Sequence, residues 1–259
     1  MKKRIISFAV VAIFVATSFI AAYAASSNFK YFSANGRAYR ANANLEAYNG
    51  TQPALCETGI AVDDGKGSVA QGWMGLQTIM YDNLGKARMA EGNCYNSSAG
   101  TWFVLNFVND GPYKGNAQVG GYAYAYNGSS YNTTTLNKTP FAYVIGAESK
   151  STLPDDTYQV NDNMQTYGSG AFADVENLPD LISAEGIDGK SGYVYKEDLL
   201  GEPPASPEEA IKRSQNSVDT FIPVYDKDGK TKIDEFKISK SNANIKTGKS
   251  KSDMPEWLK

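Results

Sequence analysis

Gly115-Asn-Ala-Gln-Val-Gly-Gly-Tyr122-Ala-Tyr124-Ala-Tyr126, closed by Asn127-Gly128, is the longest strand-like run in the chain and sets its class. Tyr122, Tyr124 and Tyr126 alternate with Ala123 and Ala125, so on a strand the three rings share one face. Asn-Gly then ends the run, as a pair that tolerates the backbone of tight turns. Similar runs lie on both sides. Arg37 to Tyr48 is extended and stops at Asn49-Gly50; Ala54 to Val62 stops at Asp63-Asp64-Gly65. Gly72 to Tyr81 carries Met74, Leu76, Thr78 and Met80 on one face, and Asp82-Asn83-Leu84-Gly85 is a hairpin-length connection to Lys86–Tyr95. Thr101 to Asn109 and Ala142 to Ile145 complete the set. Short strands with turn signals roughly every 8–15 residues predict a mainly β chain, with an antiparallel β-sandwich or barrel over residues 25–146.

Beyond residue 146 the texture changes. Residues 147–170 are polar and read as a linker or long surface loop. Residues 171–239 read as a small α+β region. Leu178 to Ala184 is expected to form a helical turn or short helix, and Gly192-Tyr193-Val194-Tyr195 a short strand. Ser206-Pro207-Glu208-Glu209 is a helix start: Ser206 accepts free backbone N–H groups, Pro207 sits at the first helical position and Glu209 reaches back. That helix is predicted to run to Gln215. Thr220–Tyr225 and Lys232–Ile238 flank Asp226-Lys227-Asp228-Gly229-Lys230 as a hairpin. A calcium-loop reading of this turn fails, because Val224 stands where the first carboxylate is required. Residues 240–259 are Lys/Ser/Asn-rich and read as a flexible tail, in which Trp257 alone has something to bury. Charge breaks at the same place: nine Lys/Arg against eight Asp/Glu in residues 25–150, then thirteen against twenty in residues 151–259.

Residues 1–24 have the order of a secretory signal peptide: cationic Lys2-Lys3-Arg4, an apolar run from Ile5 to Ala22, and small residues in Ala22-Tyr23-Ala24. A retained anchor is the alternative, with a run at the lower edge of spanning length. No later stretch is long and apolar enough to span, so no transmembrane segment is expected after cleavage. Export predicts a secreted or extracellular protein, and there the two cysteines, Cys56 and Cys94, most simply form one disulfide stapling the sandwich. The chain has no histidine, which excludes Ser-His-Asp and Cys-His nucleophilic sites and His-ligated zinc. No catalytic residue, metal or cofactor is expected. Neither region has a basic patch able to neutralise a phosphate backbone, so no nucleic-acid partner is expected.

The candidate ligand-binding residues are Tyr122, Tyr124 and Tyr126, with Trp73 or Trp102 extending the row. An exposed row of rings stacks on the sugar faces of a cell-wall glycan; the alternative is that the rings cover a core, as buried aromatics commonly do. The adjacent carboxylates Asp63-Asp64, Asp155-Asp156 and Glu208-Glu209 do not face each other across a cleft, as glycosidase chemistry requires. A pair assembled from distant positions stays open.

Gly72-Trp73-Met74-Gly75-Leu76-Gln77, Cys94-Tyr95-Asn96-Ser97-Ser98 and Tyr126-Asn127-Gly128 with Tyr131-Asn132-Thr133 resemble a group of uncharacterised small secreted proteins of Gram-positive bacteria. Tyr167-Gly168-Ser169-Gly170, Pro179-Asp180-Leu181-Ile182, Glu197-Asp198-Leu199, Ser206-Pro207-Glu208-Glu209-Ala210 and Ile222-Pro223-Val224-Tyr225 resemble a C-terminal region appended to other such proteins. The N-terminal region is also similar in texture to the lactococcin 972-type bacteriocins, which are much shorter. The resemblance implies location and architecture, with no established activity. The resulting expectation is a secreted or cell-surface, non-catalytic binding protein of unknown partner, with a cell-envelope polymer such as glycan, or a surface protein, as candidates. The alternatives are a secreted bacteriocin-like toxin and a carboxylate-dependent envelope hydrolase.

Overall fold

The computed structural model describes residues 23–47, 54–108, 115–144, 157–171, 174–240 and 245–259. Of the leader read at residues 1–24, residues 1–22 therefore lie outside the described residues, as do residues 147–156 of the expected linker. The strands in chain order are β1 (Tyr23–Ser26), β2 (Lys30–Ala34), β3 (Arg37–Ala47), β4 (Leu55–Val62), β5 (Met74–Asp82), β6 (Ala87–Glu91), β7 (Cys94–Tyr95), β8 (Phe103–Val108) and β9 (Gly115–Tyr126). They continue with β10 (Tyr131–Thr135), β11 (Ala142–Val144), β12 (Gln159–Val160), β13 (Thr166–Gly168), β14 (Leu181–Glu185) and β15 (Ser191–Tyr195). Helices α1 (Lys196–Leu200) and α2 (Pro207–Gln215) follow, then β16 (Thr220–Tyr225), β17 (Lys232–Ser239) and β18 (Ile245–Gly248).

The chain is mainly β, as its turn spacing predicts, and sandwich-like. One sheet runs β1-β3-β4-β8-β18, with β2 also on β3; the other runs β10-β9-β5-β6-β17-β16-β15-β14-β13-β12, with β7 on β5 and β11 on β9. Period-two alternation builds the gap between them. Tyr39, Ala41, Ile60 and Val62 meet Met74, Leu76, Ala123 and Ala125 in one apolar cluster. Ala43, Leu45 and Cys56 meet Met80, Ala117 and Val119 in a second. Between the two clusters the Thr58 and Thr78 hydroxyls bond at 2.7 Å, which fixes how β4 lies over β5.

That register corrects the expected disulfide. Cys56 and Cys94 are both fully buried and unbonded. Cys56 shares its cluster with Met80, whereas Cys94 pairs with Leu76, four residues away along β5. At roughly 3.3 Å per residue these places are about 13 Å apart. A disulfide needs Cα atoms within about 7 Å.

The α+β region is joined to the first region by sheet pairing. β17 pairs in parallel with β6 at Ile238↔Ala90 and Ser239↔Glu91, and β14 pairs with β6 at Ala184↔Ala87. The pairings β6-β17-β16-β15-β14 thus close into a ring. Ser206 caps α2, accepting from the Glu209 N–H at 3.3 Å, and the Glu209 carboxylate reaches back to the Ala205 N–H at 2.8 Å. The helical turn expected at Leu178–Ala184 is replaced by strand β14, because Ile182 pairs with Val194 and sends its side chain into the core.

The C-terminal residues are not a loose tail. β18 pairs with β8 from Ile245↔Asn106 to Gly248↔Phe103. Trp257 and Leu258 seat on Gly59, where an added Cβ would stand 2.9 Å from both. Arg40 donates to the Leu258 carbonyl at 3.1 Å and Asn42 to that of Trp257 at 2.7 Å. Met254 and Leu258 thereby cover Ala61, Phe103, Leu105 and Phe107 on the outer face of the first sheet. Among the described residues no helix is long and apolar enough to cross a membrane.

Candidate ligand-binding cavity

The tyrosine row does not form an open platform. Tyr122 and Tyr124 are 1 % and 2 % exposed, beneath Ile182, Val194, Leu199, Val224 and Phe236. Their hydroxyls are satisfied inside: Tyr124 donates to Asn93 at 3.1 Å, and Tyr122 and Tyr81 bond each other. Burial pushes the pKa of all three phenols well up. Tyr126 is half-buried at the strand end, its ring 6.0 Å from that of Trp73. Trp102 belongs to the outer cluster of the first sheet, with Lys251 Nζ 5.2 Å above it. Tyr122 and Tyr124 therefore share one buried core, with Tyr126 and Trp73 together at its edge and Trp102 apart on the other sheet; of the two readings of the row, the core describes Tyr122 and Tyr124, and the exposed glycan platform does not.

The same outward face of β9 opens toward its N-terminal end. There Gln118 pairs with Tyr81 and Gly120 with Ile79. Residues 136–139 run alongside, held by Leu136 N–H on the Gly121 carbonyl at 3.0 Å and by Thr139, whose hydroxyl accepts from Val119 N–H at 3.0 Å. This strapping lays the Lys138 stem over Gly120, where an added Cβ would stand 2.8 Å from its Cγ. Lys138 Nζ then lies 5.3 Å from the Tyr81 ring centroid. Lys138, Gln118, Thr135, Lys30 and Asp174 line a cavity of about 340 Å³. A smaller recess of about 210 Å³ shares Lys30, Thr135 and Asp174 and adds Thr133, Thr134 and Glu176.

Two groups in this cavity are incomplete. Lys138 has no hydrogen-bond or carboxylate partner among the described residues, and burial lowers its pKa from 10.5 to about 8, with Asp174 opposing the shift. Gln118, 8 % exposed, donates through Nε2 to the Thr139 carbonyl at 3.0 Å, but its Oε1 is buried with no partner. An unsatisfied buried acceptor costs about 1–3 kcal/mol. On the rim, Lys30 pairs with Asp174 at 3.2 Å. Thr135 accepts from Val175 N–H at 2.7 Å, which leaves its own hydroxyl proton to donate. The arrangement can hold an anion at Lys138, and a donor that reaches the buried Gln118 oxygen would complete it.

A second recess, about 260 Å³, lies where Leu199 and Leu200 carbonyls take hydrogen bonds from Gln77 and Asn93, each at 2.9 Å. Asp198, Glu202 and Arg213 line it. Burial, then the Glu197 charge, raises the pKa of Asp198. Arg213 is engaged by Glu209 and by the Glu202 carbonyl, the latter at 2.6 Å. Among the described residues no cluster of Cys, Asp and Glu is placed to hold a metal ion.

Sequence reasoning missed Lys138, which lies in an aperiodic stretch. Gln118 carried a weak signal, as a polar residue on the face that the tyrosines share. No protein family, no curated protein and no solved structure matches the chain, so the functional reading rests on the chemistry of these two recesses.

Proposed function

We propose that the protein is an exported, non-catalytic binding protein of the cell surface or its surroundings, and that the cavity beside Lys138 is its ligand site. One observation carries the reading: two side chains that line the same cavity, Lys138 with a half-buried ammonium and Gln118 with a buried amide oxygen, lack partners for those groups among the described residues. Partnerless polar groups in a folded interior are rare, and a ligand that completes them recovers their cost. Export is supported by the leader at residues 1–24 and a cell-envelope partner by the resemblance to secreted Gram-positive proteins. The test is retention of the purified protein on envelope fractions of glycan, teichoic polymer, lipid and protein. One fraction should retain the wild type and release Lys138→Met; equal retention of both everywhere would remove the site.

A carboxylate-dependent envelope hydrolase is the second reading, favoured by Asp198, whose proton is held more tightly than usual, in the same recess as Glu202. General-acid chemistry needs such a raised carboxyl. Release of soluble fragments from purified wall, abolished in Asp198→Asn, would establish it.

A further inference from the structure

We infer that the cavity beside Lys138 takes a small hydroxylated monocarboxylate, of the acidic-sugar class. This rests on the reading of that cavity as the ligand site and names what fills it. Charge balance is the first argument. Lys30 is neutralised by Asp174, and Glu176 adds a negative charge to the adjoining recess. Among the described residues lining the main cavity, Lys30 and Lys138 face the single carboxylate of Asp174, so that cavity offers one net positive charge. A monoanion matches it. A phosphate dianion would leave its second charge facing Asp174 and Glu176, at a cost that solvent only partly screens.

The second argument is the donor and acceptor inventory. Gln118 lines the cavity, its Nε2 is already engaged by Thr139 and its buried Oε1 can only accept, so a ligand group that reaches that oxygen brings an O–H or N–H. Thr135 has a hydroxyl proton left after accepting from Val175, so a ligand oxygen can accept there. Thr133 and Thr134 extend this hydroxyl-bearing wall into the adjoining recess. One carboxylate plus several groups that both donate and accept is the pattern of a sugar acid. Simple carboxylates lack the donors, and neutral sugars lack the charge. The main cavity, about 340 Å³, lies in the range of small-molecule sites, about 300–1,000 Å³.

The experiment is calorimetric titration of the full protein with glucuronate, glucose, acetate and inorganic phosphate at equal ionic strength. The variants are Lys138→Met, Lys138→Gln and Gln118→Met, each checked for a cooperative thermal transition no lower than that of the wild type, with exposed Lys249→Met as control. Glucuronate should bind the wild type and Lys249→Met about ten-fold or more tighter than the other probes, the size of one charge-assisted hydrogen bond. Both Lys138 variants should level glucuronate with glucose, and Gln118→Met should narrow the gap between glucuronate and acetate. Equal binding of glucuronate to wild type and both Lys138 variants, or preference for phosphate, overturns the inference. If glucose binds best and Lys138→Met abolishes envelope retention, the ligand class falls while the site stands. If no probe binds and retention is unchanged by Lys138→Met, site and class fall together.

Discussion

The two faces of β9 hold two different cores. The inward face carries Ala117, Val119, Ala123 and Ala125, small side chains that let the two sheets close over Leu45, Ile60 and Cys56. The outward face carries Gln118, Gly120, Tyr122 and Tyr124, and meets helices and the strand ring. The tyrosines reach deep and end in hydroxyls that find polar partners inside, Asn93 for Tyr124 and the Tyr81 hydroxyl for Tyr122. An alternation that looks like one wet and one dry face is thus two dry faces of different depth. Where the outward face runs out of tyrosines, at Gly120 and Gln118, the layer above it opens into the cavity.

The largest way to break this arrangement lies between the two faces. Gly121 has φ +140°, and an added Cβ would stand 1.9 Å from the Gln77 carbonyl oxygen. Gly121→Ala therefore combines a backbone that L residues rarely adopt with a clash against main chain, and should cost about 4 kcal/mol or more, to the point of failing to fold. Its neighbour Gly120 meets only the flexible Lys138 stem. Gly120→Ala should cost about 1 kcal/mol. Denaturant midpoints compare the two; similar values would mean that the β5–β9 register is wrong.

Next comes the depth of the tyrosine face. Tyr124→Ala should cost about 4 kcal/mol by chemical denaturation, within the range for emptying a buried aromatic site. Tyr126→Ala, at the half-buried end of the same row, should cost about 1 kcal/mol. Equal costs would put the two rings in equivalent surroundings, against the buried-core reading.

These contrasts also show what the sequence could carry. The Met74–Met80 face, the Ser206 cap and the hairpin around Asp228 were legible because each is decided within a few residues. The β6–β17 and β8–β18 pairings join segments more than a hundred residues apart, and no local pattern announces them. For the same reason residues 245–259 looked loose, although Trp257 pointed to something that needed covering. The candidate site was nearly illegible. Lys138 gains its meaning only from Gly120 beneath it and Tyr81 beside it.

The cysteines sharpen the inward face. Burial pushes the Cys56 thiol pKa up to about 12 and raises that of Cys94 as well, so neither offers a thiolate at ordinary pH. Native protein should resist alkylation, denatured protein should take up two alkyl groups without prior reduction, and a reductant should leave the thermal midpoint where it was. Cys56→Ala and Cys94→Ala should each cost about 1–2 kcal/mol as small cavities. A drop in midpoint on reduction would restore the cross-link and require β4 to slide along β5.

The smallest effect belongs to the open end of the outward face. Lys138 ionises at about 8 in the fold and at 10.5 when unfolded, so the unfolded chain holds the proton more tightly. Below about pH 8 this disfavours the fold, and the penalty is relieved as pH rises from about 8 toward 10.5. Because the lysine is only half-buried, Lys138→Met should gain about 1 kcal/mol at pH 7 and flatten that rise. Among the described residues, Lys30, Asp174 and Tyr81 are the ionisable groups facing it, and Lys30 with Asp174 cancels in charge. A carboxylate ligand reverses the balance by holding the ammonium, so binding should take up a proton and weaken as pH climbs past about 8. Titrations in buffers of different ionisation heat measure that proton directly; uptake that persists in Lys138→Met would assign it to another group.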